Sequence, residues 1–114
     1  MPRILSISYQ EPLLLTRQML LEQQGYEVVS ALGFMEAVVQ CEQGEFDLLL
    51  LGHTVPRLDQ EKLIETFRQH CKAPILSLRR SGEAPVDAAK HHALSDDPDE
   101  LLQRVAAIFK QPLD

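Results

Sequence analysis

The sequence predicts a doubly wound α/β fold, a parallel sheet with helices on both faces, and three observations carry that prediction. Short apolar runs alternate with segments of helical spacing along the chain. The run Phe46-Asp47-Leu48-Leu49-Leu50-Leu51 has no polar alternation, which suits a central parallel strand covered on both faces. Turn formers bound each apolar run, so the joints between elements are marked.

The first strand is Ile4 to Ser8. Pro12 then opens a helix, since its missing N–H costs nothing in the first turn, and Gly25 closes it after Gln24. Tyr26 to Ala31 is the second strand. The second helix sets Phe34, Ala37, Val38 and Cys41 on one face and ends at Gly44. After the third strand, Phe46 to Leu51, a third helix begins near Asp59 as N-cap and turns Leu63, Ile64, Phe67 and Cys71 inward. Pro74 to Leu78 is the fourth strand. Gly82 and Pro85 make Arg79 to Pro85 a loop, followed by a short, weakly helical piece and a fifth strand around His92 to Leu94. The last helix has Asp97 as cap, Pro98 at its first position, Glu100 near the reciprocal partner position, and Leu101, Val105, Ile108 and Phe109 facing inward.

At 114 residues the chain fits one domain, residues 1–114, too short for a core plus an effector module. Hydrophobic residues at 45% and charged residues at 25% are values of a chain that folds. A formal net charge of -6 argues against a surface that tracks nucleic-acid phosphates. The apolar stretch in Met1 to Ile7 is too short for a signal peptide and no run is long enough to span a bilayer, so a cytoplasmic protein without membrane attachment is expected. Cys41 and Cys71 form no close pair of the zinc or redox kind and read as small core residues.

With these elements placed, the sequence resembles the bacterial response-regulator receiver family over nearly its whole length. The resemblance is carried by Ile4-Leu5-Ser6-Ile7, Gly25-Tyr26-Glu27-Val28, Phe46 to Leu51, Val55-Pro56-Arg57-Leu58-Asp59, Ala73-Pro74-Ile75-Leu76 and Pro98-Asp99-Glu100-Leu101-Leu102, in the family's order. It implies a flavodoxin-like five-stranded sheet of order 2-1-3-4-5, with the site at the carboxyl ends of the strands. It also implies a signal-transduction role in two-component systems. The segment between the fourth and fifth strands is shorter than the family's, so the helix there is expected to be short or absent.

At the site the sequence departs from its family. Receivers carry two adjacent acidic residues for Mg²⁺ after the first strand, where this chain has Ser8 and Tyr9. The phosphoryl-accepting aspartate corresponds to Gly52, the hydroxyl residue after the fourth strand to Arg79, and the phosphoryl-pairing lysine to Leu94. Mg²⁺ sheds water reluctantly and is held through carboxylates, and a glycine cannot form an acyl phosphate. Phosphoryl transfer is mostly positioning and charge neutralisation, so replacing all these groups together removes it.

Other residues admit two readings. Glu11 and Asp59 lie nearest the altered site and could hold a metal, or they could serve helix N-termini, the reading favoured here; no metal is expected. Arg79 and Arg80 either cover the vacated pocket, pairing with Glu11, an anion or a partner, or are solvated loop charges. His53 beside Gly52 lacks a matched base and reads as structural, and the adjacent His91 and His92 would face opposite sides of a strand and not share an ion. Leu13, Leu14, Leu20 and Leu21 form the apolar stripe of the first helix, and Leu15 and Met19 widen it, either as a broad core face or as a partner or dimer surface.

The expectation is a receiver-like module, without enzymatic activity or cofactor, that acts by phosphorylation-independent contact with another signalling protein or with a second copy of itself. A small anionic-ligand sensor at the strand-end crevice is the alternative. A phosphorelay receiver using an unconventional acceptor such as His53 ranks last.

Overall fold

The computed structural model describes residues 1–110. The elements run β1 (Arg3–Ser8), α1 (Glu11–Gln23), β2 (Glu27–Leu32), α2 (Gly33–Gln43), β3 (Leu48–Leu51), α3 (Arg57–His70), β4 (Ile75–Arg79), β5 (His91–Leu94) and α4 (Pro98–Lys110). All strand pairings are parallel, and the order is β2-β1-β3-β4-β5, as the resemblance implied. Between β4 and β5 the chain makes turns and no helix, so the shortened segment carries no counterpart of a helix there.

Alternation along the strands sorts the core into two layers. Leu5, Ile7, Leu49, Leu51 and Ile75 pack toward α2 and α3 with Ala37, Cys41, Leu63 and Phe67. Ile4, Leu48, Leu50, Leu76 and Leu78 face the other way, against Leu21 of α1 and Leu101, Val105 and Ile108 of α4. The unbroken Leu48 to Leu51 run is therefore buried on both faces. Tyr26 and Phe109 close the lower edge of the second layer, their rings 5.2 Å apart.

Local details correct several expectations. Helix α3 starts at Arg57, with Pro56 in the N-cap position, so Asp59 lies in the first turn and is not the cap. Proline at position 56 cannot continue a helix backward through its own N–H, and its extended backbone fixes the start there. Cys71 lies at the C-cap of α3 and packs half-buried against the core, its thiol directed at the Phe46 carbonyl 3.3 Å away. Strand β3 begins at Leu48, because the backbone before it turns to let the Asp47 carboxylate accept the Arg3 N–H at 2.7 Å. Asp97 does cap α4, accepting the Glu100 N–H at 3.0 Å.

Helix α1 differs most from its pattern. Its buried residues are Leu14, Arg17 and Leu21, so a guanidinium occupies the middle of the inward stripe. Leu15 and Met19, at 56% and 55% exposure, are not part of a broad core face.

Candidate strand-end site

The carboxyl ends of β1 and β3 meet in a cluster of polar atoms, most of which satisfy one another. The buried Ser8 hydroxyl contacts the Gln10 carbonyl at 3.1 Å and the Thr54 Oγ1 at 3.2 Å, and accepts the Gln10 N–H. Thr54 Oγ1 also accepts the Tyr9 N–H at 2.9 Å, so the turn after β1 is clasped to the turn after β3. The Tyr9 hydroxyl donates to Asp59 Oδ2 at 2.8 Å. Burial, then that hydrogen bond and the Asp59 charge, raise the Tyr9 pKa above the ordinary tyrosine range. Asp59 thus anchors Tyr9 to α3.

Gly52 follows β3 directly and is tied by its N–H to the Ile7 carbonyl at 2.9 Å. A β-carbon here would lie 2.7 Å from Arg17 Nη1 and 2.9 Å from the Ile7 oxygen. Close approach, then, demands glycine at this position. Arg17 reaches the spot from α1 with only 4% of its surface exposed. Its Nη2 lies 3.3 Å from His53 Nδ1, which suits an unprotonated acceptor nitrogen. Among the described residues Nη1 has no hydrogen-bond partner and no carboxylate forms an ion pair with Arg17.

Charge and burial act on both members of this pair. Desolvation lowers the Arg17 pKa from its usual value. Burial, followed by the Arg17 and Arg80 charges, holds His53 below the ordinary histidine range, although Glu83 and Asp96 oppose it. A neutral His53 beside a charged Arg17 has no coupled base or acid, so neither group is arranged for nucleophilic work.

The remaining sequence-marked residues sit around this centre. Arg79 and Leu94 are register partners at the ends of β4 and β5. Arg79 donates through Nη1 to the Glu83 carbonyl at 2.7 Å and makes no ion pair with Glu11, contrary to one expectation. It lines a shallow pocket of about 110 Å³ with His53, Ser77 and Glu83. Arg80 is exposed, and its backbone N–H is held by the Glu83 carboxylate at 2.8 Å. Below that pocket Gln60, 5% exposed, donates to the Val55 carbonyl and accepts from the Ser77 hydroxyl, both at 2.9 Å. Arg57 fastens the β4–β5 segment through the Ala84 and Pro85 carbonyls. Glu11 lies exposed in the first turn of α1.

These residues do not suit a divalent cation. Ser8 and Tyr9 engage their oxygens in bonds to Thr54, Gln10 and Asp59, Gly52 has no side chain, and a guanidinium stands beside it. No cluster of three or more His, Cys, Asp or Glu with metal-binding geometry occurs among the described residues.

Arg17 was not marked by the sequence reading, and its signal was available. It falls three residues after Leu14 and four before Leu21, on the buried face, where a charged residue is costly unless something compensates it. Likewise, Thr54 and Gln60 act through partners far away in the chain, which spacing alone does not reveal.

No family model matches the chain. It is 32% identical over 102 residues to the sensor protein GacS of Pseudomonas syringae pv. syringae, covering 90% of this chain but only 11% of that protein's length. A solved two-component response regulator from Clostridium difficile superposes with a TM-score of 0.84 at 19% identity, covering 97% of this chain and 98% of the other. One chain in a solved complex of the histidine kinase ThkA with the response regulator TrrA superposes at 0.77 with 22% identity, covering 96% and 100%. The fold is therefore that of response-regulator receiver domains.

Proposed function

We propose that the chain is a receiver-type signalling domain that does not accept a phosphoryl group and acts through protein contact. One observation carries the reading: at position 52, where the resemblance places the acceptor aspartate, there is a glycine with the Arg17 guanidinium against it. A buried cation there repels the metal on which ordinary receiver chemistry depends, and the Ser8 and Tyr9 oxygens are committed to Thr54 and Asp59. The likeness to a segment of a sensor protein and to a chain from a kinase–regulator complex supports a partner from the same signalling class.

Such a partner would meet surface that the fold leaves apolar. Leu15 and Met19 on α1 are exposed, as are Met35 and Val39 on α2, and a second copy of the chain is an equivalent candidate occupant. No described helix is long and apolar enough to cross a membrane.

The test is incubation with acetyl phosphate and Mg²⁺ followed by intact-mass measurement. An unchanged mass is expected. A phospho-adduct would overturn the proposal.

A further inference from the structure

Strand β2 is an edge of the sheet, hydrogen-bonded to β1 on one side only. Successive residues of a strand turn their backbone N–H and C=O groups to opposite sides, so an edge presents an unpaired row. The Glu27 N–H bonds the Pro2 carbonyl, so Glu27, Val29 and Ala31 face β1 while Val28, Ser30 and Leu32 face outward. Of these outward donors the Leu32 N–H is answered, by the Glu36 carboxylate at 2.7 Å. Val28 and Ser30 offer two N–H and two C=O groups with no backbone partner among the described residues.

Edge strands are commonly blunted by lysine, proline, a bulge or shortness. The six residues of β2 include no lysine or proline and pair with β1 in unbroken register, whereas β5 at the other edge has four residues. Apolar side chains flank the bare row. On the α1 side Gln18 accepts the Ser30 hydroxyl at 2.9 Å, and exposed Leu15 and Met19 line a shallow groove with it. On the α2 side Ser30 itself lines a groove with Met35 and Val39, 76% and 52% exposed.

Charge decides between a partner and a second copy. Glu11, Glu22, Glu27, Glu36 and Glu42 of α1, β2 and α2 are all exposed, and the one cation in these three elements, Arg17, is buried. A second copy would set this acidic rim against its own like charges, whereas a cationic segment is attracted to it. We infer that the β2 edge binds an extended segment of a partner protein, apolar at its centre and rich in Lys or Arg at both ends, as an added strand. The segment's backbone completes the ladder at Val28 and Ser30. Its central side chains cover Leu15 and Met19 on one face and Met35 and Val39 on the other, and its cations meet the surrounding glutamates. The inference rests on the contact role proposed above and names where the partner docks and by what chemistry.

The experiment is an amide NMR titration of the full chain with the end-blocked octapeptide Lys-Lys-Val-Ile-Val-Thr-Lys-Lys. Two further peptides serve as controls, one with glutamate in place of each lysine and one N-methylated at its four central residues. Saturable shifts at residues 28–32 are expected with the first peptide alone, weakening as ionic strength rises. Ser30→Pro removes an outward N–H that bonds nothing in the sheet and should abolish the binding. Glu22→Lys combined with Val39→Lys, both at exposed positions, should weaken it at least about fivefold and leave the fold intact, so the test holds whether or not the proline variant folds. The inference is overturned by an absence of saturable shifts at this edge, by equal binding of either control peptide, or by binding that survives the lysine substitutions or a folded Ser30→Pro chain. Concentration-dependent shifts at residues 28–32 in the chain alone, with a dimer mass in sedimentation, assign the edge to a second copy and overturn it too. Phosphoryl acceptance is read separately by intact mass: an adduct strikes the proposed function, whereas an unchanged mass without peptide binding strikes this inference alone.

Discussion

Arg17 Nη1 lies 2.7 Å from the point where a β-carbon on Gly52 would stand, and the Ile7 carbonyl oxygen lies 2.9 Å from the same point. The first neighbour ends a flexible side chain, whereas the second belongs to a central strand. A substituent at position 52 can push the guanidinium aside but cannot easily move the backbone of β1. The two residues thus define each other's space.

Gly52→Ala should destabilise the fold by about 1–3 kcal/mol, the range for overpacking a dense interior. Urea denaturation measures this directly. Combining it with Arg17→Met should recover only part of the loss, since the Ile7 contact persists in the double variant. Full recovery would show that the side chain alone sets the constraint.

Arg17→Met by itself should leave stability unchanged or raise it by about 1 kcal/mol or more, because methionine fills similar volume without a buried charge. The denaturation midpoint is the readout. A clear fall would mean that the contact with His53 outweighs the cost of burying the guanidinium.

Acid should weaken the protein through two histidines. His53 and His91 both have folded-state pKa values below the ordinary value of about 6.5, chiefly through burial. The unfolded chain therefore takes up protons first as pH falls, and the folded state loses ground. Their contribution is fully present above about pH 6.5 and is lost progressively below it, down through the folded pKa values. Stability measured between pH 7.5 and about 5 should fall less steeply in a His53→Gln, His91→Gln variant than in the native chain.

Leu15→Glu and Met19→Glu should change stability by no more than about 0.5 kcal/mol, as substitutions on an exposed face do. Under the proposed role they should also weaken association with a partner or a second copy. Thermal unfolding checks the first expectation, and sedimentation over a range of protein concentrations checks self-association.

The alternation of strands and helices was legible because parallel strands and crossover helices imprint distinct periods on the chain, as Leu48 to Leu51 and the Leu101, Val105, Ile108 set show, whereas the order of the sheet came from the resemblance. Glycine at position 52 was legible too, although the reason for it was not. That reason is Arg17, which interrupts the stripe of α1 and looks like a surface residue until the sheet is set beneath it. Asp59 was misread as a cap because its partner, Tyr9, stands 50 residues away, and Pro56 had already fixed the start of α3. The exposure of Leu15 and Met19 depends on the tilt of a helix on its sheet, which hydropathy alone leaves open.

The β4–β5 segment is moored from two directions, by Arg57 to Ala84 and Pro85 and by Arg79 and Arg80 to Glu83. Under the proposed role, a surface held in one posture would offer a partner a constant face. The output of such a domain would follow mass action, with occupancy of the partner rising and falling with the number of copies present. Control over the signal would then pass to synthesis and degradation, and the protein would work as a measure of dose.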